Sequence, residues 1–399
     1  MSQRFKFNRM ELAGSLGDLG TLLPIAIAMV LFNGLNPLGL FMSIGLFYVL
    51  SGIYFGVTVP VQPMKVIGAY AIATAMSADQ IMASVLLMGA FLLIIGATGA
   101  IDLIRRITPK PVIRGVQLST GALLISGGVK FIMGTSTYQK LQDAAEPHLA
   151  IQSLGPLPIS LVIGAIAAIA TLYLLNSRKC PAGLFVVLGG IASGLILGAR
   201  MDLGGGTVGL HLPEILPFGF PEEADFTFAL FALVLPQLPM TLGNAVLAYT
   251  DLSREYFQER SARLTNKKVC LSMALANFFS FLLGGMPLCH GAGGLAAHYR
   301  FGARTAGSNV MIGVLFLALA VLLGEGIVGL FNLLPMSVLG VLLVFAGSQL
   351  TLTIMDLDRR KDYFVAALIL GITLASNLAA GFIVGMIVAQ LLKWEKLTV

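Results

Sequence analysis

Residues 39–57 read GLFMSIGLFYVLSGIYFGV, a run with no charged side chain. That is about the length of helix needed to cross a bilayer. Comparable runs recur along the whole chain. In hydrocarbon every backbone N–H and C=O must find a partner within the protein, so a spanning chain is helical or belongs to a closed barrel. Runs near twenty residues select helix, because barrel strands need only about ten. Of the 399 residues 57% are hydrophobic and 11% charged, where soluble domains carry roughly a quarter. The chain is therefore read as an all-α polytopic membrane protein. Its polar, basic N-terminus shows no cleavable leader pattern. Cys180, Cys270 and Cys289 are scattered, so neither a metal nor a cofactor is expected.

Spans are expected near 12–31, 38–57, 61–76, 81–101, 112–133, 156–176 and 182–199. A second set falls near 227–249, 268–285, 289–299, 306–324, 328–351, 363–376 and 379–394. The third and tenth are short. With the N-terminus in the cytoplasm, 21 of the 25 basic residues fall on the cytoplasmic side, among them Arg105, Arg106, Lys110, Arg114, Arg178, Lys179, Arg359 and Lys396. The net charge of +6 is thus a topology signal and not a nucleic-acid signal. A missed span would invert every later loop, so the distribution supports about fourteen spans with both ends inside. Seven spans per half make the second half start from the opposite side. The expected plan is two inverted repeats, 1–200 and 227–399, joined by a polar outer connection at 201–226. The inner loop 251–268 reads as a charged helical connector, and the outer segment 134–156 as holding a short surface helix. No appended soluble domain is expected.

Four apolar segments are interrupted by polar or helix-breaking residues: GSLGDLGTLLP (14–24), VPVQPMK (59–65), LPQLPMTLGNAV (235–246) and GGMPLCHGAGG (284–294). They fall in the first and third span of each half, the pattern that points to a transporter's binding site. Proline forbids continuous helix, and broken backbone survives in a membrane only inside protein or beside a cavity. Residues 59–62 are therefore expected to be extended, with a half-helix starting near Pro63 or Met64. A helix that starts at mid-depth directs free N–H groups and a partial positive charge at one spot, which suits an anion. The CHGAGG segment, with Gly291, Ala292 and Gly293, is expected to do the same from the other side. Lys65 adds a cation, and Gln62, Gln237, Thr241 and Asn244 add hydrogen-bonding groups. The expected ligand is a small oxyanion. Each residue also has a plainer reading: Lys65 as a snorkelling lysine, Asp18 as a cap, His290 as a structural histidine, the amides as interhelical glue, and the glycines as packing contacts.

At these motifs the chain resembles the molybdate transporter family, related to the sulfate permease superfamily. The resemblance rests on ELAGSLGDLGTLLP, PVQPMK, PQLPMTLGNAV and MPLCHGAGGLAAHYRFGARTAGS, and runs from about Glu11 to the last spans. It implies a core domain of spans one to four and eight to eleven, and a gate domain of the remainder. It also implies half-helices in spans three and ten, and substrate contacts at Gly17, Asp18, Gln62, Lys65, Gln237, His290 and Gly291. Sulfate permeases usually carry a cytoplasmic STAS domain; this chain does not, as in the molybdate branch. The expectation is a secondary transporter of the cell membrane, not an enzyme, taking up molybdate by alternating access with proton coupling through Asp18 and His290. Sulfate and tungstate remain rival substrates, being tetrahedral dianions too. A channel and an intramembrane enzyme are the competing classes, the latter weakened by a single spanning aspartate and no HExxH. Monomer and homodimer both stay open.

Overall fold

The computed structural model describes residues 4–101, 108–175, 177, 181–201 and 208–393. Arg105, Arg106, Arg178, Lys179 and Lys396 of the expected cytoplasmic set lie outside the described residues, as do Cys180 and 202–207 of the outer connection. The chain is mostly helical. Its principal helices are α1 (Arg9–Asn33), α2 (Pro37–Phe55), α3 (Lys65–Thr74), α4 (Ala78–Thr98), α5 (Lys110–Ile132), α6 (Ile159–Leu174), α7 (Ala182–Ile196), α8 (Glu223–Ser261), α9 (Asn266–Leu282), α10 (Ala292–Phe301), α11 (Ala306–Phe331), α12 (Met336–Thr351), α13 (Arg360–Ala375) and α14 (Leu378–Leu391). Seven of them (α1, α2, α4, α5, α8, α11 and α12) are long and apolar enough to cross a membrane alone.

Local chemistry sets the ends. Asn36 caps α2 by accepting from Gly39 N at 2.8 Å, Pro37 occupies the first turn, and Gly56 closes it with φ +78°. A five-residue helix, Thr137–Leu141, lies in the outer segment. The expected boundary at Gly324 moves. Gly324–Gly326 only tightens α11 into a 3₁₀ turn, and the break comes before Pro335, which precedes α12.

Two expected interruptions prove to be irregular turns in unbroken helical runs. In α1 the sequence Leu16–Asp18 is one 3₁₀ turn. In α8, Leu230–Val234 and Thr241–Ala248 are wound as wider π turns on either side of Leu235–Met240. Pro236 and Pro239 lack an N–H, and the wider winding accommodates that loss without ending the helix.

The helices pack as two groups. One holds α1–α4 with α8–α11, where α2 lies on α11 and α4 on α9. The other holds α5–α7 with α12–α14, centred on α5 against α12. Glycines allow the close crossings. A Cβ at Gly121 would lie 2.6 Å from Gly347 O, and one at Gly347 would lie 2.6 Å from Gly121 O. Gly128 and Gly340 repeat the arrangement seven residues along, so α5 and α12 run antiparallel with backbones touching. Between the groups, α3 meets α5, and Gly20 of α1 meets Gly183 of α7 backbone to backbone.

Candidate functional site

The two remaining interruptions are true breaks, and they meet. Gln62–Pro63 (β1) pairs antiparallel with Leu288–Cys289 (β2), with Gln62 opposite Cys289 and Pro63 opposite Leu288. Met64 N extends the pairing to Pro287 O at 2.9 Å. Side chains satisfy the backbone on either side. Asn309 accepts from Val59 N at 2.8 Å and donates to Val59 O at 2.6 Å. Asn277 treats Leu288 alike, at 3.1 and 2.8 Å, and Ser280 donates to Met286 O. An unpaired buried peptide group costs about 1–3 kcal/mol, so these amides are what let extended chain exist here.

From this crossing α3 and α10 depart, starting at Lys65 and Ala292, slightly later than the sequence suggests. Gln237 of α8 caps α3: its Oε1 accepts from Val66 N at 2.9 Å and Ile67 N at 3.3 Å. Thr241, one helical turn on, accepts from Gln237 Nε2 at 2.8 Å and fixes that amide. Gly291 precedes α10 without a side-chain cap. Asp18, at the 3₁₀ turn of α1, is buried, and both its oxygens accept from Gln62 Nε2, at 2.9 and 2.8 Å. Gln62 Oε1 is buried against Gly291 and has no hydrogen-bond partner.

A cavity of about 220 Å³ opens beside these groups. Lys65, Asn244 and Gly293 line it from the first helix group, with Thr21 of α1. Gln117 and Leu124 of α5, Gln349 of α12 and Thr353 line it from the second group. Of the residues singled out in the sequence, Lys65, Asn244 and Gly293 thus face one space, while Asp18, Gln62, Gln237 and Thr241 brace its wall. Pro63 and Met64 are in the strand pairing. Gly17 is a packing contact, since a Cβ there would lie 2.7 Å from the Phe301 ring. The imidazole of His290 is engaged at both nitrogens: Nδ1 donates to Pro60 O at 2.9 Å, and Nε2 lies 3.2 Å from Ser272 Oγ. Phe47, Phe55 and Tyr249 enclose the ring. Sequence reasoning passed over Thr21, Gln117, Gln349 and Thr353. Gln117 in particular is buried polar in an apolar span, the signal by which Gln237 was found.

Positive and negative groups meet here, the Asp18 carboxylate lying within electrostatic reach of Lys65. A helix N-terminus is partially positive, and Lys65 places a full cation on it instead of the usual carboxylate. Among the described residues no group of three potential ligands could hold a metal ion.

Comparison with known proteins bears on the family and the fold. A family profile described as "Molybdate transporter of MFS superfamily" matches residues 10–124 and 229–350. Molybdate transporter 2 of Arabidopsis thaliana is 31% identical, with 97% of this chain and 88% of the relative aligned. Molybdate transporter 1 of the same plant is 30% identical, over 96% of this chain and 87% of its own length. Molybdate transporter 1 of Chlamydomonas reinhardtii is also 30% identical, over 94% and 90%. Among solved structures, the transmembrane domain of the cyanobacterial bicarbonate transporter BicA superposes with TM-score 0.65 at 17% identity, covering 96% of this chain and 97% of that one. SLC26A9 gives TM-score 0.65 at 15% identity, covering 96% and 65%. At these identities the two structures speak for the fold alone.

Proposed function

This chain belongs to the molybdate transporter family, a family of membrane transporters and not of enzymes, and from that premise we propose that it is a secondary active transporter of molybdate, coupled to protons. The observation that carries the reading is the meeting of α3 and α10 at one cavity, with Lys65 on one helix start and bare glycine N–H groups on the other. The dianion sits between Lys65, Asn244 and the first turn of α10. The chain crosses the membrane fourteen times as two inverted repeats joined at 201–226, α3 and α10 being half-helices. The group of α1–α4 and α8–α11 is the substrate-carrying core, the other group is the gate, and both termini are cytoplasmic. Alternating access follows as the core moves against the gate, with the cavity between them.

Bringing two negative charges into a cell costs roughly 4.6 kcal/mol per 100 mV, and protons offset it. Asp18 and Gln62 supply a means. With Asp18 ionised, Gln62 Nε2 donates to both carboxylate oxygens and Oε1 is left unpartnered. A protonated Asp18 donates instead of accepting, so the amide turns to present Oε1 to it. The NH₂ group then faces Gly291, where a donor serves an arriving anion. One proton thereby converts a repulsive acceptor into a binding group. His290 holds the β1 stretch in place through Pro60.

The test is uptake by purified protein in liposomes, labelled molybdate competing against sulfate and tungstate, with and without an imposed proton gradient. Wild-type uptake is expected to follow the gradient. Asp18→Asn is expected to transport at a reduced rate that no longer responds to pH. Unchanged pH response in that variant would defeat the coupling, and flux that ignores a proton gradient in wild type would favour a channel.

A further inference from the structure

A second cavity, of about 270 Å³, adjoins the first and shares Gln117, Met240, Asn244 and Thr353 with it. Its other lining includes Lys110 and Arg114 on the first turns of α5, and Gly243 and Ala248 on α8. The two cavities thus stand back to back on these four residues, one lined by Lys65 and the other by the exposed Lys110. At Lys110 stands a three-membered ion cluster. Arg114 grips Asp356 with two bonds, Nε to Oδ1 at 2.8 Å and Nη2 to Oδ2 at 2.5 Å. Lys110 Nζ lies 3.3 Å from the same carboxylate and donates to Asp356 O at 2.6 Å. The third arm of Arg114, Nη1, reaches Gln117 Oε1 at 2.8 Å, and Thr353 donates to that oxygen too.

Three features set this cluster apart from an ordinary surface ion pair. It carries two cations to one carboxylate, beside a cavity that adjoins the one lined by Lys65. The planar guanidinium is presented as a fork, the geometry that takes two oxygens of a carboxylate or of a tetrahedral oxyanion equally well. The partners are also unequally held. Arg114 is 23% exposed and braced by Gln117, whereas Asp356 is 44% exposed on the 3₁₀ turn that ends α12.

We infer that Arg114 and Lys110 form a second oxyanion subsite, separate from the Lys65 cavity, and that Asp356 is its resident stand-in. A tetrahedral dianion leaving the Lys65 cavity takes the place of the carboxylate on the Arg114 fork, with Gln117 and Thr353 between the two stations. When the anion departs, Asp356 returns and closes the fork, which prevents the mouth from retaining the product. The inference rests on the transport reading for its direction, but binding at the fork is measurable without transport.

Two measurements separate the two ideas. The first is equilibrium binding of molybdate and of sulfate by calorimetry on purified full-length wild type, Asp356→Asn, Arg114→Gln and Arg114→Lys. Asp356→Asn is expected to bind a further equivalent of oxyanion, or to bind roughly fivefold more tightly, the scale of a half-exposed ion pair. That gain is expected to vanish in the double variant with Arg114→Gln, and to be only partly kept with Arg114→Lys, which retains charge but not the fork. The second is flux in oriented liposomes. From the face bearing Lys110, Asp356→Asn is expected to lower the half-saturating concentration by a similar factor and slow release, leaving the opposite face unchanged. If wild type carries no oxyanion yet Asp356→Asn gains binding, the transport reading falls and the subsite stands. If wild type transports while the folded Asp356→Asn and Arg114→Gln proteins bind and transport as it does from both faces, the subsite is overturned.

Discussion

The starts of α3 and α10 meet beside one cavity and are finished differently. The first is closed: Gln237 takes the N–H groups of Val66 and Ile67, and Lys65 supplies the positive charge from its side chain. The second has no side-chain cap; Gly291 and Gly294 are packed against Gln62 and Asp18, and Gly293 alone faces open space. A helix terminus can attract an anion through a side-chain cation or through bare amides. In the reading proposed above each start uses one of these means, charge at α3 and geometry at α10.

The largest expected effect comes from removing the charge. Lys65→Ala should lower molybdate uptake about a hundredfold, the scale of one lost charge-assisted bond near 3 kcal/mol. Near-normal uptake in liposomes would mean that charge is not how the first start acts. Next comes the geometry of the second. An added Cβ at Gly294 would lie 2.5 Å from Asp18 Oδ2 and 2.8 Å from Gln62 Nε2, whereas one at Gly293 meets nothing within 4 Å. Gly294→Ala should therefore cut uptake about tenfold, the cost of overpacking, and Gly293→Ala should change it by less than about twofold. Equal effects would break the distinction. Gln237→Leu should destabilise the protein by about 1–2 kcal/mol, as for a lost cap, while increasing the rise in melting temperature that molybdate produces. An unchanged rise would mean that the amides of α3 are not available to the anion even when uncapped.

The smallest effect concerns a third helix start, that of α12, which is closed by a carboxylate. Glu146 accepts from Met336 N at 2.7 Å and Ser337 N at 2.9 Å, and burial pushes its pKa above the ordinary 4.5. A raised value in the folded state means stability that is complete below 4.5 and declines as pH rises through the folded value. Glu146→Gln has no such dependence. Its melting temperature relative to wild type should therefore improve as pH rises from 4.5 through the folded value and then level off.

Much of α3 and α10 was legible in the sequence because proline and clustered glycine act locally: they forbid helix where they stand, whatever surrounds them. The pairing of β1 with β2 was not, since it joins residues more than two hundred positions apart through backbone groups that carry no sequence mark. The same locality misled at α1 and α8. Pro236 and Pro239 read as a break, but a longer-range turn absorbed them, and that choice depends on the neighbouring helices. Asn277 and Asn309 escaped notice for a related reason. An amide in an apolar span reads as a ligand or a helix contact, and its work here is to replace the missing partners of another segment's peptide groups. The far wall of the cavity, with Gln117 and Gln349, belongs to helices whose position relative to α3 only the fold supplies.

The meeting of Gly20 with Gly183 has a consequence for motion. Where side chains interdigitate, sliding one surface past another requires teeth to disengage. Here two bare peptide ridges lie against each other two residues from Asp18, so the movement proposed for the helix groups would meet no interlocked side chains at this one point. A methyl group on either glycine would act as grit in a bearing, sparing the anion's seat and stalling the machine around it.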